Sequence, residues 1–232
     1  MKTLYVINPN SSNTVTDGIA QALSPLYALA KGQGVRIDCL TLAEGPPGIE
    51  SQTQADLVIA PMLHMAAGLK DAAGFVVACF GDPGLHALRD RTSLPVLGIQ
   101  ECAVMTALTL GQRFGVIAIL PASVPRHLRA FGAMGVRNRL AGDRALGLGV
   151  ADLASEAKTR ARLIDVGRSL RDTDGADTLI LGCTGMARYR DILEDATGLP
   201  VVEPCQAAVA TALGHIALNQ SHNPGGADAT PR

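Results

Sequence analysis

Tryptophan is absent from the 232-residue chain, and aromatic residues make up only 3% of it. Any core must therefore be aliphatic, the palette of an Ala/Val/Leu-rich α/β protein. An excess of charge of either sign is also missing: 20 Lys and Arg stand against 21 Asp and Glu, a net charge of −1. Neither nucleic acid nor an anionic membrane surface is a favoured partner on that balance. No apolar run approaches the ~20 residues of a membrane span. The apolar stretch in "MKTLYVINPN" is too short for a secretion signal and reads as a first strand, so the expected location is the cytoplasm. Cys-x-x-Cys pairs and Cys/His clusters at zinc-finger spacing are missing as well. The five cysteines, Cys39, Cys79, Cys102, Cys183 and Cys205, are an odd number at wide spacings. In a reducing compartment such thiols are packing residues or chemistry; neither a metal site nor a disulfide is expected.

What the chain does have is length enough to bury a core, as one large domain or two small ones, and a regular alternation. Strand-like apolar runs occur at Leu4–Ile7, Val35–Leu40, Phe75–Ala78, Val96–Ile99, Phe114–Leu120, Thr178–Leu181 and Val201–Val202. Between them lie stretches of helical period, at Val15–Ala30, Ala55–Leu69 and Glu156–Leu170. Strands alternating with helices predict parallel sheets flanked by helices with right-handed crossovers.

The chain also repeats itself. "TSLPVLGIQECAVMTAL" from Thr92 and "TGLPVVEPCQAAVATAL" from Thr197 match at nine positions when aligned. Just upstream, "VVACFGDPG" and "LILGCTG" place Cys79 on Cys183. More weakly, "VINPNSS" and "AILPASV" align Ser11 with Ser123. The repeat predicts two pseudo-symmetric α/β units with a cleft between them. Residues 1–98 plus 207–218 would form the first domain and 99–206 the second. The polar, Gly/Pro-rich segment 219–232 reads as a disordered tail.

Each cysteine of the aligned pair stands at the carboxyl end of a parallel strand, where open α/β sheets bind ligands. Two thiols on opposite sides of one cleft suit the inversion of a carbon acid without a cofactor. A thiolate removes the proton on one face, and a thiol returns one on the other. Both cysteines precede a glycine and an apparent helix start, whose N–H groups are expected to lower the thiol pKa and receive enolate charge. Gly81 and Gly185 would let the backbone approach a ligand.

These stretches resemble the aspartate/glutamate racemase superfamily, and within it most closely the hydantoin and allantoin racemases. The resemblance rests on "INPNSS" (Ile7–Ser12), "GPPGIES" (Gly45–Ser51), "ACFGDPGL" (Ala78–Leu85), Gly98-Ile99 followed by Glu101, and "LGCTGM" (Leu181–Met186). It implies a cofactor-independent racemase of a small-molecule substrate, two catalytic cysteines at Cys79 and Cys183, and an oligomer of like chains. It also implies substrate contacts from Asn10 and Ser11 and from the backbone of Phe80, Gly81, Thr184 and Gly185; Ser123 follows only through the repeat. Hydantoin racemases usually carry alanine where this chain has Thr184. Amino-acid racemases follow their first cysteine with Asn-Thr, whereas Phe80-Gly81 follows here. Arylmalonate decarboxylases keep only the second cysteine, and maleate isomerases lack "CFGDPG".

Plainer readings stand beside these. Cys79 and Cys183 would then be paired packing cysteines, and Cys39, Cys102 and Cys205 core residues. Asn10, Ser11 and Asp82 would cap helices or form turns. Glu101 either positions a thiol or begins a solvated helix. Arg126 and His127 read best as a solvated helix face. The glycines of "LAGDRALGLGVAD" (Leu140–Asp152) lack the spacing and lysine of a phosphate loop. Outside isomerases, the competing classes are a thiol redox sensor and a duplicated binding protein.

Overall fold

A computed structural model describes residues 1–148 and 156–222. Most of the tail expected to be disordered, residues 223–232, lies outside the described residues. Two four-stranded parallel sheets make up the frame. In the first, β1 (Lys2–Asn8) pairs with β2 (Val35–Thr41) and β3 (Ala72–Val77), and β3 with β4 (Val96–Gly98), giving the order β2-β1-β3-β4. In the second, β5 (Phe114–Ala118) pairs with β6 (Leu140–Ala145) and β7 (Thr178–Gly182), and β7 with β8 (Val201–Val202), giving β6-β5-β7-β8. The two orders are the same, as the internal repeat predicts.

The strands β3, β5 and β7 are buried along their whole length and β1 along all but its first residue. Covered on both faces, they are written as continuous apolar runs. The strand β6 carries no strand signal in the sequence because it is an edge strand. Its "LAGDRA" is only half-buried throughout and carries Asp143 and Arg144, so no apolar signal marks it. Its place is that of β2 in the first sheet.

The helical stretch expected at Val15–Ala30 is broken into α1 (Asn13–Ala22), a 3₁₀ turn over Ser24–Leu26 and α2 (Tyr27–Gly32). Pro25 lies at the break, where it removes a helical N–H. The stretch Ala55–Leu69 is likewise two helices, α3 (Gln52–Leu57) and α4 (Ile59–Gly68). The remaining helices are α5 (Leu85–Arg89), α6 (Ile99–Leu110), α7 (Val124–Ala133), α8 (Glu156–Asp172), α9 (Arg190–Thr197) and α10 (Pro204–Ala217).

After β4 the chain enters α6, which packs on β7 and β8 of the other sheet. After β8 it enters α10, which returns to pack on β3 and β4. The two helices pack on each other between the sheets, through a core that both units share. Leu4, Val6 and Val76 meet Phe114, Val116 and Ile180 there, with Cys102 and Ala103 of α6 and Cys205, Ala208 and Ala212 of α10. Each sheet has its own outer core as well, around Ile7, Met62 and Phe75 in the first unit and Ile117, Leu163 and Tyr189 in the second. The shared core fixes the carboxyl ends of β3 and β7 relative to one another. Beyond α10, His222 lies against the first unit, donating its N–H to the Ser93 carbonyl at 3.0 Å. Among the described residues no helix is long and apolar enough to cross a membrane, and no group of His, Cys, Asp or Glu is arranged to hold a metal ion.

Candidate active site

Cys79 lies two residues past β3, and Cys183 follows β7 directly. Both are half-buried and free. The chain leaves the two cysteines differently. After Cys79 it makes a tight loop with three positive φ angles, at Gly81 (121°), Asp82 (47°) and Gly84 (72°). Glycine enters that region freely and aspartate more readily than most residues. The helix expected at Gly81 begins only at Leu85. After Cys183 a 3₁₀ helix, Thr184–Tyr189, starts at once. The Gly185 N–H bonds the Cys183 sulfur and favours its thiolate.

The loop after Cys79 is clipped to the rest of the fold by Asp82. Its carboxylate accepts the N–H groups of Gln100 at 2.8 Å and Glu101 at 2.9 Å, capping α6 from another part of the chain. A Cβ on Gly98 would stand 2.2 Å from that carboxyl carbon, so glycine is required there. Burial pushes Asp82 up to about 7, against the pull of the two N–H groups. The Glu101 carboxylate accepts the Gly98 N–H and pairs with Arg89 at the start of α6.

Contrary to expectation, neither thiol is lowered. Burial pushes Cys79 up to about 12, aided by Cys183 and Asp82, with Arg126 opposing. Burial pushes Cys183 up to about 11, less the pull of the Gly185 N–H and with the Glu50 carboxylate adding to the rise. Desolvation of a thiolate outweighs the N–H groups that were expected to dominate. An ionised Cys183 opposes the Cys79 thiolate, so a charge on one sulfur bears on the other. Half-buried thiols with raised pKa values are poor redox sensors, which need exposed, low-pKa sulfur.

Two cavities flank the segment of residues 47–54. The smaller, about 370 Å³, is lined by Cys79, Phe80, Gly81 and Asp82, together with Ile49, Gln52, Asp56, Arg126 and Arg129. The larger, about 1460 Å³, is lined by Ser11, Ser12, Glu50, Thr184, Gly185, Arg188, Arg190 and Gln206 among others. The segment between them is tied to α7. Arg126 donates to the Glu50 carbonyl at 2.9 Å, and Arg129 to the Gln52 side chain at 2.7 Å.

The other residues singled out in the sequence fall as follows. Asn10 is buried, its Oδ1 accepting from Asn8 Nδ2 at 3.0 Å and from the Ser12 N–H at 2.9 Å. It shapes the first-strand loop, and the cap of α1 falls to Ser12, whose hydroxyl accepts the Val15 N–H. Ser11 faces the larger cavity, with its N–H bonded to the Pro46 carbonyl. Thr184 is buried, and with Gly185 it lines the same cavity. Phe80 is buried edge-on against His127, ring centres 4.9 Å apart. Ser123 is buried, and its hydroxyl accepts from Arg126 at 3.3 Å. Cys102 and Cys205 pack in the shared core, and Cys39 packs against it from β2.

Two expectations fail on α7. His127 is 1% exposed, with Nδ1 2.8 Å from Asp143 of β6. Arg126 lines the smaller cavity beside Cys79 instead of facing solvent. The pair read as a solvated helix face because β6, which supplies the histidine's partner, was not recognised as a strand. Glu50 and Gln52 were also missed; their one signal was a place in or beside "GPPGIES".

The family model for Asp/Glu/Hydantoin racemase matches residues 4–212. A hydantoin racemase of Paenarthrobacter aurescens is 32% identical over 222 residues, covering 93% of this chain and 91% of that protein. One from Rhizobium meliloti is 34% identical over 212 residues, covering 89% and 85%. Among solved structures, the allantoin racemase of Pseudomonas fluorescens superposes with a TM-score of 0.90 at 26% identity, over 99% of this chain and 97% of that one.

Proposed function

The chain belongs to the Asp/Glu/Hydantoin racemase family, and we propose that it racemises the C5 centre of a 5-substituted hydantoin or of allantoin by a two-thiol mechanism. That it is an isomerase of the racemase type follows from its relatives. The observation that carries the mechanism is the pair of half-buried, free thiols at the ends of equivalent strands.

In this mechanism one thiolate takes the C5 proton, and the bonding pair moves into the adjacent ring carbonyl as an enolate. The opposite thiol then donates its proton to C5 from the other face, and the electron pair returns. Each turnover leaves the proton on the other sulfur, so the two cysteines exchange roles with direction. No cofactor enters, because the carbonyl beside C5 is the electron sink. Backbone N–H groups of Phe80, Gly81, Thr184 and Gly185 receive the enolate charge, and Asn10, Ser11 and Ser123 bound the site. The polar lining at Gln52, Asp56, Arg126 and Arg129 suits a hydrogen-bonding substituent such as the ureido group of allantoin. Residues 1–98 with 207–218 form one wall of the reacting cleft and residues 99–206 the other. We place the enzyme in the cytoplasm as a homo-oligomer acting on a small molecule, with no nucleic-acid or membrane partner.

Proton NMR in D₂O tests this. Incubated with the protein, a single-enantiomer hydantoin or allantoin is expected to lose its C5–H signal while its optical rotation decays. No exchange above background with either substrate defeats the assignment.

A further inference from the structure

The cleft is not electrostatically symmetric. Beside Cys79 stands a guanidinium, Arg126, lining the same cavity. At Cys183 the charge that bears is a carboxylate, Glu50, which opposes the thiolate, and the help the sulfur receives is a backbone N–H from its own loop. Arg126 is held in place by two acceptors, the Glu50 carbonyl and the Ser123 hydroxyl. Its helix α7 follows β5 of the second sheet, whereas Cys79 follows β3 of the first. The first unit's thiol therefore draws its cationic support from the second unit.

We propose that Arg126 is the positioning charge for Cys79: it stabilises the Cys79 thiolate across the cleft and so sets how the single proton is shared between the two sulfurs. This rests on the two-thiol reading for its meaning in turnover, but the interaction itself is a property of the protein without substrate. The other charges around Cys79 do not substitute for it. Asp82, on the same loop, and an ionised Cys183 both oppose the thiolate. Asp56 of α3 and Arg129 of α7 line the cavity with opposite signs. His127 and Asp143 face one another behind Phe80, both within 2% of complete burial. Partial burial leaves the Arg126 charge incompletely screened, and it restores in part what desolvation removes.

Racemisation has an equilibrium constant of one, so no variant can lower kcat/KM for one enantiomer alone. Loss of the Arg126 charge must lower both kcat/KM values equally, and its bias appears in the separate kcat and KM values of the two enantiomers.

The test is iodoacetamide alkylation at pH 9, with Cys79 and Cys183 quantified separately by peptide mass spectrometry. Below its midpoint, the rate at each sulfur follows its thiolate fraction. In Arg126→Gln, Cys79 is expected to react about tenfold more slowly, a shift of about one pH unit, while Cys183 is not slowed. Arg126→Lys keeps the charge and is expected to restore most of the Cys79 rate. Gln52→Ala cuts the Arg129 tie without changing any charge and is expected to leave both rates alone. An unchanged Cys79 rate in Arg126→Gln overturns the proposal. So does a parallel change at both sulfurs, or an effect of Gln52→Ala as large, because either marks a loosened segment and not a lost charge. If Arg126→Gln does not fold, Arg126→Lys still decides, since a tenfold loss at Cys79 with the charge kept is incompatible with the proposal. None of these readouts requires turnover, so failure of the hydantoin assignment would leave them standing.

Discussion

The chain leaves β3 and β7 at equivalent points in two sheets of the same strand order, yet by different routes. Past Cys79 it turns through three residues of positive φ and is clipped by Asp82 to the start of α6. Past Cys183 it runs straight into a 3₁₀ helix, and the equivalent helix α10 is capped locally by Glu203. That carboxylate accepts the N–H groups of Cys205 at 3.2 Å and Gln206 at 2.6 Å. Both helix starts are satisfied by a carboxylate taking two N–H groups. In the first unit the carboxylate is borrowed from the loop that carries the thiol; in the second it stands next to the helix it caps. Duplication thus preserved the frame and the sulfurs while the wiring around each diverged. One sulfur has acquired a cation, Arg126, and the other an anion, Glu50.

The largest effect should fall on both sulfurs alike. Cys79→Ser and Cys183→Ser are each expected to lower the racemisation rate by about 10²–10⁴-fold, the span of a lost acid or base. Polarimetry on both variants checks this; full activity in either one would break the equivalence of the two loops.

The pH dependence sharpens it. Because burial holds both thiols high, about 11 and 12, the thiolate is a minor species at neutral pH. Its fraction grows about tenfold per pH unit until the lower of the two values is reached. The initial racemisation rate, corrected for the base-catalysed background, should rise between pH 7 and 9 with a slope near one on logarithmic axes. A flat profile there would mean that substrate lowers a thiol that the empty site does not.

The two caps should separate stability from activity. Asp82→Ala and Glu203→Ala each orphan two N–H groups and should each cost about 2–3 kcal/mol, read from urea denaturation. Only Asp82→Ala should also depress the racemisation rate in the folded fraction, because its loop positions Cys79. Equal loss of activity in the two variants would show that the local and long-range caps serve the site alike.

The smallest effect is the titration of Asp82. A carboxyl whose folded pKa is raised, here to about 7 from 3.8, binds its proton more tightly in the folded state. It contributes stability that is fully present below about pH 4 and is lost as pH rises towards 7. Burial raises Glu203 in the same direction. Asp82→Asn should therefore flatten the decline in urea midpoint between pH 4 and 7 without abolishing it, since Glu203 remains. A slope that does not change would place the pH sensitivity elsewhere.

Much of the frame was legible because buried parallel strands are written as unbroken apolar runs, as at Phe75–Val77 and Thr178–Leu181. The repeat from Thr92 and Thr197 was legible because α6 and α10 fill the same role in the shared core and need the same small residues. The edge strand β6 was not, since "LAGDRA" is polar, half-buried and defined only by its pairing with β5. The partner of His127 was hidden with it. The breaks at Pro25 and Val58 were passed over because helical period continues across them.

The sequence by itself determined that two cysteines would stand beside glycine at the ends of like strands, because hydrophobic period and internal repetition are local properties. Tertiary structure alone decided how those thiols ionise. Their pKa values depend on how completely packing strips water from the sulfur, and on which charges from distant parts of the chain face it. Arg126, Glu50 and Asp82 lie far from one another in sequence, and only the folded chain brings α7 against both the 47–54 segment and the Cys79 loop.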